Sequence, residues 1–280
     1  MMKYVGGKYR VLDLLYSYFP QHYTYAEPFG GSYQVLLNKT PSTLEFINDI
    51  DPKITSLAYC FLLCPKELIQ AANFDLHSQG LFKFLKEFDF LHATMLEQAL
   101  NKLYIIYHSF GSLGNNYAYM LNQKRHIHIK HTKESIMAIH ERLKNVQICS
   151  EDFKIFLRKF SKVENGFIYL DPPYIISDEK KYYDYNFTKE DHAQLVTILS
   201  GFNPKNVKWL LSYDKQPVIE ELYSNFNIID FNIPYSISRE KRDVTPELLI
   251  SNYDITKMEK PKSTKLEKFF TQEEITEIES

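Results

Sequence analysis

A chain of 280 residues with 44 % hydrophobic and 24 % charged side chains can bury a full core, which excludes a disordered polyelectrolyte or a low-complexity fibre. Its formal net charge is −2, so a polyanion would have to be gripped by a local basic patch and not by overall charge. Three cysteines, Cys60, Cys64 and Cys149, make no disulfide framework, and the apolar run 57–64 is far too short to span a bilayer.

The chain opens on Lys3-Tyr4-Val5-Gly6-Gly7-Lys8, a close-approach glycine loop flanked by cations. Lys8 suits a carboxylate, and a solvated basic terminus explains the same residues. No charged-then-apolar leader pattern follows, so a cytoplasmic protein with reduced thiols is expected. Residues 22–27 form a β-prone run that ends in Glu27-Pro28-Phe29-Gly30-Gly31-Ser32 and a helical stretch to 37. A second strand over 43–48 ends at Asp49-Ile50-Asp51-Pro52 and leads into a helix over 54–63. Strands alternating with helices predict a mostly parallel sheet.

From 65 to about 144 the alternation breaks. Two amphipathic helices, about 81–90 and 95–107, lead into an irregular stretch over 109–122 that is rich in Gly, Asn and Tyr. Residues 124–131 then alternate basic and apolar side chains as a half-exposed strand would. This segment reads as an insertion. The alternation resumes with a strand at 146–149, a helix at 152–159 and a strand at 166–170. A helix at 189–199, a strand at 207–212, a helix at 217–223 and strands near 228–233 and 248–253 complete it, the last two as an antiparallel edge pair. Residues 257–280 are a charged, peripheral tail.

Asp171-Pro172-Pro173-Tyr174 directly follows the 166–170 strand, at the carboxyl end of a parallel sheet, where open α/β sheets bind ligands. The lone pair of adenine's amino group is delocalised into the ring. A carboxylate and a backbone carbonyl, each accepting one N–H, favour a tetrahedral nitrogen and aim its lone pair at a methyl donor. Asp171 and the carbonyl of Pro172 can supply that pair, held by rigid prolines, and Tyr174 offers a stacking face. A rigid turn after a strand is the blander reading. Upstream, the Phe29-Gly30-Gly31 turn, with Asp49 twenty-two residues beyond Glu27, follows the logic of nucleoside sites: close backbone approach, then an acid for ribose hydroxyls. An ordinary tight turn and a helix-capping Asp account for those residues equally well.

Taken together and in this order, Lys3–Lys8, Glu27–Ser32, Asn48-Asp49-Ile50-Asp51, Glu151-Asp152-Phe153 and Asp171–Tyr174 resemble the motif series of the Dam-like DNA adenine-N6 methyltransferases. The likeness runs to about residue 254. It implies a Rossmann-like α/β class I methyltransferase sheet of seven strands, one antiparallel, with an inserted, mostly helical DNA-recognition domain. The catalytic domain would comprise 1–64 and 145–256, the insert 65–144 and the tail 257–280.

The cofactor implied is S-adenosyl-L-methionine. Tyr4 and Lys8 would contact it, Phe29, Gly30 and Gly31 would let it approach, and Asp49 would hold its ribose. Asp152 and Phe153 would meet its adenine, and Asp171, Pro172 and Tyr174 would carry the chemistry. The chain departs from the family at Ser32-Tyr33, where many relatives have a further glycine. It also lacks the recognition sequence of enzymes that read GATC.

Double-stranded DNA is the expected partner of a monomer without membrane contacts, and a restriction endonuclease is the further partner the family suggests. Ser109, Phe110, Asn115, Asn116, Tyr117 and Arg125 are candidates for reading base edges. His128, Lys130, Arg239, Lys241 and Arg242 are candidates for phosphates, and Lys3 and Lys124 are further candidates for contact with DNA. The cluster His126, His128, His131 has no carboxylate or thiol beside it and reads as DNA-facing, not as a metal site. Two rival readings are methylation of RNA or of a protein glutamine, and a DNA-binding protein on a degenerate cofactor fold.

Overall fold

The computed structural model describes residues 12–72, 76–89, 92–109, 116–118, 128–173, 187–231 and 247–257, with 128–133 described in backbone only. Its first half contains α1 (Leu12–Tyr16), β1 (Thr24–Glu27), α2 (Gln34–Asn38), β2 (Leu44–Asn48) and α3 (Pro52–Leu63). Four helices follow: α4 (Pro65–Ala71), α5 (Gln79–Glu87), α6 (Met95–His108) and α7 (His128–Leu143). The second half contains β3 (Val146–Cys149), α8 (Phe153–Arg158), β4 (Gly166–Leu170), α9 (Lys189–Ser200) and β5 (Val207–Asp214). It ends with α10 (Pro217–Leu222), β6 (Asn227–Phe231), β7 (Glu247–Ser251) and a 3-10 turn at Ile255–Lys257.

The seven strands form one sheet in the order β3-β2-β1-β4-β5-β7-β6. Neighbours from β3 to β5 are parallel, and β7 runs against both β5 and β6, so one strand is antiparallel as expected. The central strands are apolar on both faces because both are covered. Tyr25, Ile47, Phe167, Tyr169 and Leu210 point into a core with α1–α4, α6 and α7. Their neighbours Ala26, Ile168, Leu170, Trp209, Leu211 and Tyr213 point into a second core with α8–α10. Fully burying a large apolar side chain contributes about 1.5–3 kcal/mol, so these two layers dominate stability.

The chain leaves β1 toward β2 and β3, then returns so that β4 lies beside β1 and β5 beyond it. That reversal opens a crevice between the carboxyl ends of β1 and β4, where both candidate motifs sit.

Helix starts follow local chemistry. Thr94 with Glu97 and Thr188 with Asp191 form capping boxes for α6 and α9, and Asp51 with Pro52 opens α3. Within 65–144, α6 and α7 pack on α3 and join the core beside the sheet, and α5 packs on α6.

Three readings need correction. The strand expected over 124–131 is helix α7 from His128 onward, while 124–127 lie outside the described residues. The alternation over 124–131 rests on only two apolar residues, Ile127 and Ile129, too few to fix a period, and the deciding signal lies downstream, where Ile136, Ile139 and Leu143 bury one helical stripe. Helices α1 and α4 were not expected. They are only 5 and 7 residues long, too short to show a period.

Candidate active site at the carboxyl ends of β1 and β4

Asp171 is the first residue after β4 and is half-buried. The hydroxyl of Ser212, on neighbouring β5, donates to Asp171 Oδ1 at 3.2 Å, and Ser212 Oγ also shares a hydrogen bond with Tyr169 OH at 2.8 Å. The next β5 residue, Tyr213, points to the opposite face. Its hydroxyl donates to the carbonyl of Pro173 at 3.2 Å and pairs with His192 Nε2 at 3.0 Å. Pro172 is buried and Pro173 half-buried. Tyr174 lies outside the described residues.

Across the crevice, the turn after β1 is closed by backbone bonds: Gly30 N–H donates to Asn48 O at 2.8 Å, and Tyr33 N–H to Gly30 O at 2.8 Å. A Cβ on Gly30 would stand 2.4 Å from the Tyr33 ring and 3.0 Å from Asn48 O, so this approach needs glycine. Gly31 has φ +50° and open space where a Cβ would stand. Tyr33 adopts φ 56°, a left-handed conformation uncommon for a residue with a side chain. Its side chain is buried and its hydroxyl donates to Ile54 O at 3.3 Å. Tyr33 therefore packs into the core beside α3.

Asp49 sits at the end of β2 with one carboxylate oxygen on each loop. Gly31 N–H donates to Oδ2 at 2.7 Å, and Asp51 N–H donates to Oδ1 at 2.9 Å. Enclosure of the carboxylate pushes its pKa up to about 6, against the opposing pull of those backbone donors. Each oxygen keeps a further lone pair, and the Gly31 side is open, so the donor set fits a nucleoside ribose. Asp51 in turn holds Lys102 of α6 at 2.9 Å, which ties the 65–144 segment to this loop.

Asp152 caps α8, accepting from Lys154 N–H at 2.8 Å. Phe153 packs against Phe29 (ring centroids 5.5 Å apart) and Phe187 (5.3 Å), and Phe187 meets Phe29 edge-on at 5.5 Å. The loops after β1 and β3 thus share an aromatic floor, with Phe187 supplied from the residues before α9. Sequence reasoning missed Phe187, along with Lys102, His192, Ser212 and Tyr213, and gave Asn48 no role beyond its place in the 48–51 motif. A usable signal existed for one pair: Ser212 and Tyr213 end the strand after β4, and that strand is usually its neighbour.

The candidate DNA residues are less gathered. Ser109 is buried, its hydroxyl on Ile106 O at 3.4 Å, so in this conformation it braces the loop and does not face a groove. Tyr117 is half-buried, bridges to Ser109 and lies edge-on to Phe82, whereas Asn116 is exposed. His128 and Lys130 stand in the first turn of α7. Lys3, Tyr4, Lys8, Phe110, Asn115, Lys124, Arg125, Arg239, Lys241 and Arg242 lie outside the described residues. Among the described residues no helix is long and apolar enough to cross a membrane, and no group of three or more His, Cys, Asp or Glu side chains could hold a metal ion.

The family model of D12 class N6 adenine-specific DNA methyltransferases matches residues 4–237. Type II methyltransferase M1.LlaDCHI of Lactococcus lactis subsp. cremoris is 26 % identical over 275 residues, covering 90 % of this chain and 94 % of that protein. Modification methylase StsI of Streptococcus sanguinis is 26 % identical over 286 residues, covering 90 % of this chain but 42 % of its own length. The DNA adenine methylase of Escherichia coli K12 is 23 % identical over 253 residues, covering 85 % and 88 %. Among solved structures, an rRNA methyltransferase from Streptomyces viridochromogenes aligns with 83 % of this chain and 77 % of its own at 12 % identity, with a TM-score of 0.30.

Proposed function

We propose a division of labour within a chain that belongs to the family of D12 class N6 adenine-specific DNA methyltransferases. The reaction is site-specific methylation of adenine N6 in DNA, which sets aside RNA and protein glutamine as substrates. The observation that carries the division is the facing of Asp171 and the Gly30-Gly31–Asp49 turn across the β4/β1 crevice.

Asp171 accepts one N–H of the adenine amino group and the Pro172 carbonyl accepts the other. The base reaches them only after leaving the duplex. Two fixed acceptors draw the lone pair out of the ring and hold it in line for attack. The prolines fix φ on both sides of that carbonyl, so little reorganisation accompanies the step. Tyr174 supplies the stacking face.

S-adenosylmethionine, when bound, supplies an electrophilic methyl group on a cationic sulfur. Asp49 accepts its ribose hydroxyls, and Asp152 and Phe153 meet its adenine beside the aromatic floor of Phe29 and Phe187. The glycines let its backbone-side atoms approach, and Tyr4 and Lys8 complete the site.

Double-stranded DNA is held by the segment 65–144. Phe110, Asn115, Asn116, Tyr117 and Arg125 read bases, and Lys3, Lys124, His128, Lys130, Arg239, Lys241 and Arg242 meet phosphates. The protein acts as a monomer on DNA. The names of the relatives support a paired restriction endonuclease as its biological companion.

The test is methylation of genomic DNA by purified protein, with N6-methyladenine measured by mass spectrometry. Asp171→Ala should lower the yield more than a hundredfold, since losing a preorganised group costs about 3–4 kcal/mol. A variant retaining a tenth of the wild-type yield would remove Asp171 from the chemistry.

A further inference from the structure

Asp171-Pro172-Pro173 is constrained by its own prolines, but proline fixes only its own φ, so other torsions remain free. Among these are the side-chain torsions of Asp171 and the ψ that orients the Pro173 carbonyl. Two adjacent residues of β5 act on these. Ser212 donates to Asp171 Oδ1 and Tyr213 donates to Pro173 O, each at 3.2 Å and from opposite faces of one strand. Both side chains are fully buried.

Each donor is itself held. Ser212 is anchored by Tyr169, one strand away. The Tyr213 hydroxyl gives its proton to Pro173 O, so it accepts from His192 and the imidazole carries its proton on Nε2. His192 is completely buried on α9, its Nδ1 has no hydrogen-bond partner among the described residues, and burial pushes its pKa down to about 4. A neutral ring with Nε2–H is therefore the form present at neutral pH. The edge of its packing is shared with Phe187 at 4.6 Å, which also touches Phe29 and Phe153.

From this arrangement we infer that Ser212 and the His192–Tyr213 pair are positioning residues of the methyl-transfer step, Ser212 aiming the Asp171 carboxylate and Tyr213 locking the backbone at Pro173. All three side chains are buried and act through the Asp171-Pro172-Pro173 loop. Their effect is to hold the Asp171 carboxylate and the backbone that follows the Pro172 carbonyl before adenine arrives. A buried imidazole left with one unpartnered nitrogen has a cost in free energy, and here it maintains a hydrogen bond into the catalytic loop. The inference rests on the role given above to Asp171 and Pro172.

The test uses the full chain and the variants Tyr213→Phe, Ser212→Ala and Ser212→Thr, with Asp171→Ala alongside. Tyr213→Phe keeps the ring and loses one oxygen. Single-turnover transfer should fall about tenfold or more in Tyr213→Phe and Ser212→Ala, because loosening a reacting group by a fraction of an ångström is costly. KM for DNA and the calorimetric affinity for S-adenosylmethionine should stay within about twofold, since only the preorganisation of the step is lost. Ser212→Thr, which restores a hydroxyl, should recover most of the Ser212→Ala loss. Rates within twofold of wild type in both Tyr213→Phe and Ser212→Ala, with Asp171→Ala inactive, would overturn the positioning role and leave the catalytic one standing. Losses that follow cofactor affinity or melting temperature would also overturn it. Activity in Asp171→Ala would instead overturn the reading on which it depends.

Discussion

Asn48 and Glu151 are bonded to each other in both directions: Asn48 Nδ2 donates to the Glu151 carbonyl at 2.9 Å, and Glu151 N–H donates to Asn48 Oδ1 at 2.8 Å. The same amide also donates to Pro28 O at 3.0 Å. One buried side chain thus joins the turn after β1, the end of β2 and the loop after β3. Asn48→Ala leaves two carbonyls and one N–H without their partner, which should cost about 2–4 kcal/mol of stability. Cofactor affinity should fall with it, because Phe29 and Asp152 lose their common reference. Urea unfolding and calorimetry on the same preparation check both. A stable variant with intact affinity would show that the loops are held by something else.

With Asp49 as the proposed acceptor of the ribose hydroxyls, cofactor binding should depend on pH. Its pKa is raised to about 6, so above neutrality it is a carboxylate with lone pairs to offer, and below about 6 it is increasingly protonated. Affinity for S-adenosylmethionine should be level above pH 7 and decline below pH 6, by at most about tenfold per pH unit. Asp49→Ala should bind about ten- to a hundredfold more weakly, since charge-assisted bonds are lost. Its titration should also be flat across that range. A curve of wild-type shape in the variant would assign the pH dependence to another group.

Glu27 is buried at the end of β1, its Oε1 accepting from Tyr25 OH at 2.7 Å, and burial raises its pKa from 4.5 to about 8. Between those two values the folded protein holds a proton that the unfolded chain has released. Stability therefore falls as pH rises through the window, with a slope of at most about 1.4 kcal/mol per unit from this group. Glu27→Gln keeps the acceptor for Tyr25 and removes the titration. Its stability relative to wild type should improve steadily from pH 5 to pH 8, read from denaturation midpoints. A constant difference across that range would mean that Glu27 is ionised in the folded protein.

Tyr33 separates backbone strain from packing. Glycine in its place would relieve the left-handed φ, a gain of about 1 kcal/mol, but would remove a buried aromatic ring worth about 3–5 kcal/mol. Packing wins in this comparison. Tyr33→Gly should be destabilised by about 2–4 kcal/mol and bind cofactor no better, while Tyr33→Phe should stay within about 1 kcal/mol of wild type in thermal unfolding. Tighter cofactor binding by Tyr33→Gly would show instead that the ring crowds the site.

Strand identity was written locally. Residues 166–170 read as a strand with the bounds it has, because a central parallel strand covered on both faces is a short apolar run; 146–149 reads as one through its β-branched Val146 and Ile148, although β3 is an edge strand with Gln147 exposed. The glycine turn, Asp49 and Asp171 were legible for a related reason: each lies just past such a run, where a parallel sheet places its loops. Helix α7 was not legible from 124–131, since the helical spacing of Ile136, Ile139 and Leu143 lies downstream of that segment. Nor could any local pattern show that Ser212 would meet Asp171, that His192 would brace Tyr213, or that Asn48 would take both polar atoms of the Glu151 backbone. Those partners stand 41, 21 and 103 residues apart. Periodicity within a segment records which face is apolar, and it is set by the residues of that segment. The pairing of buried polar groups is set by strand order and helix docking, so only the tertiary structure decided it.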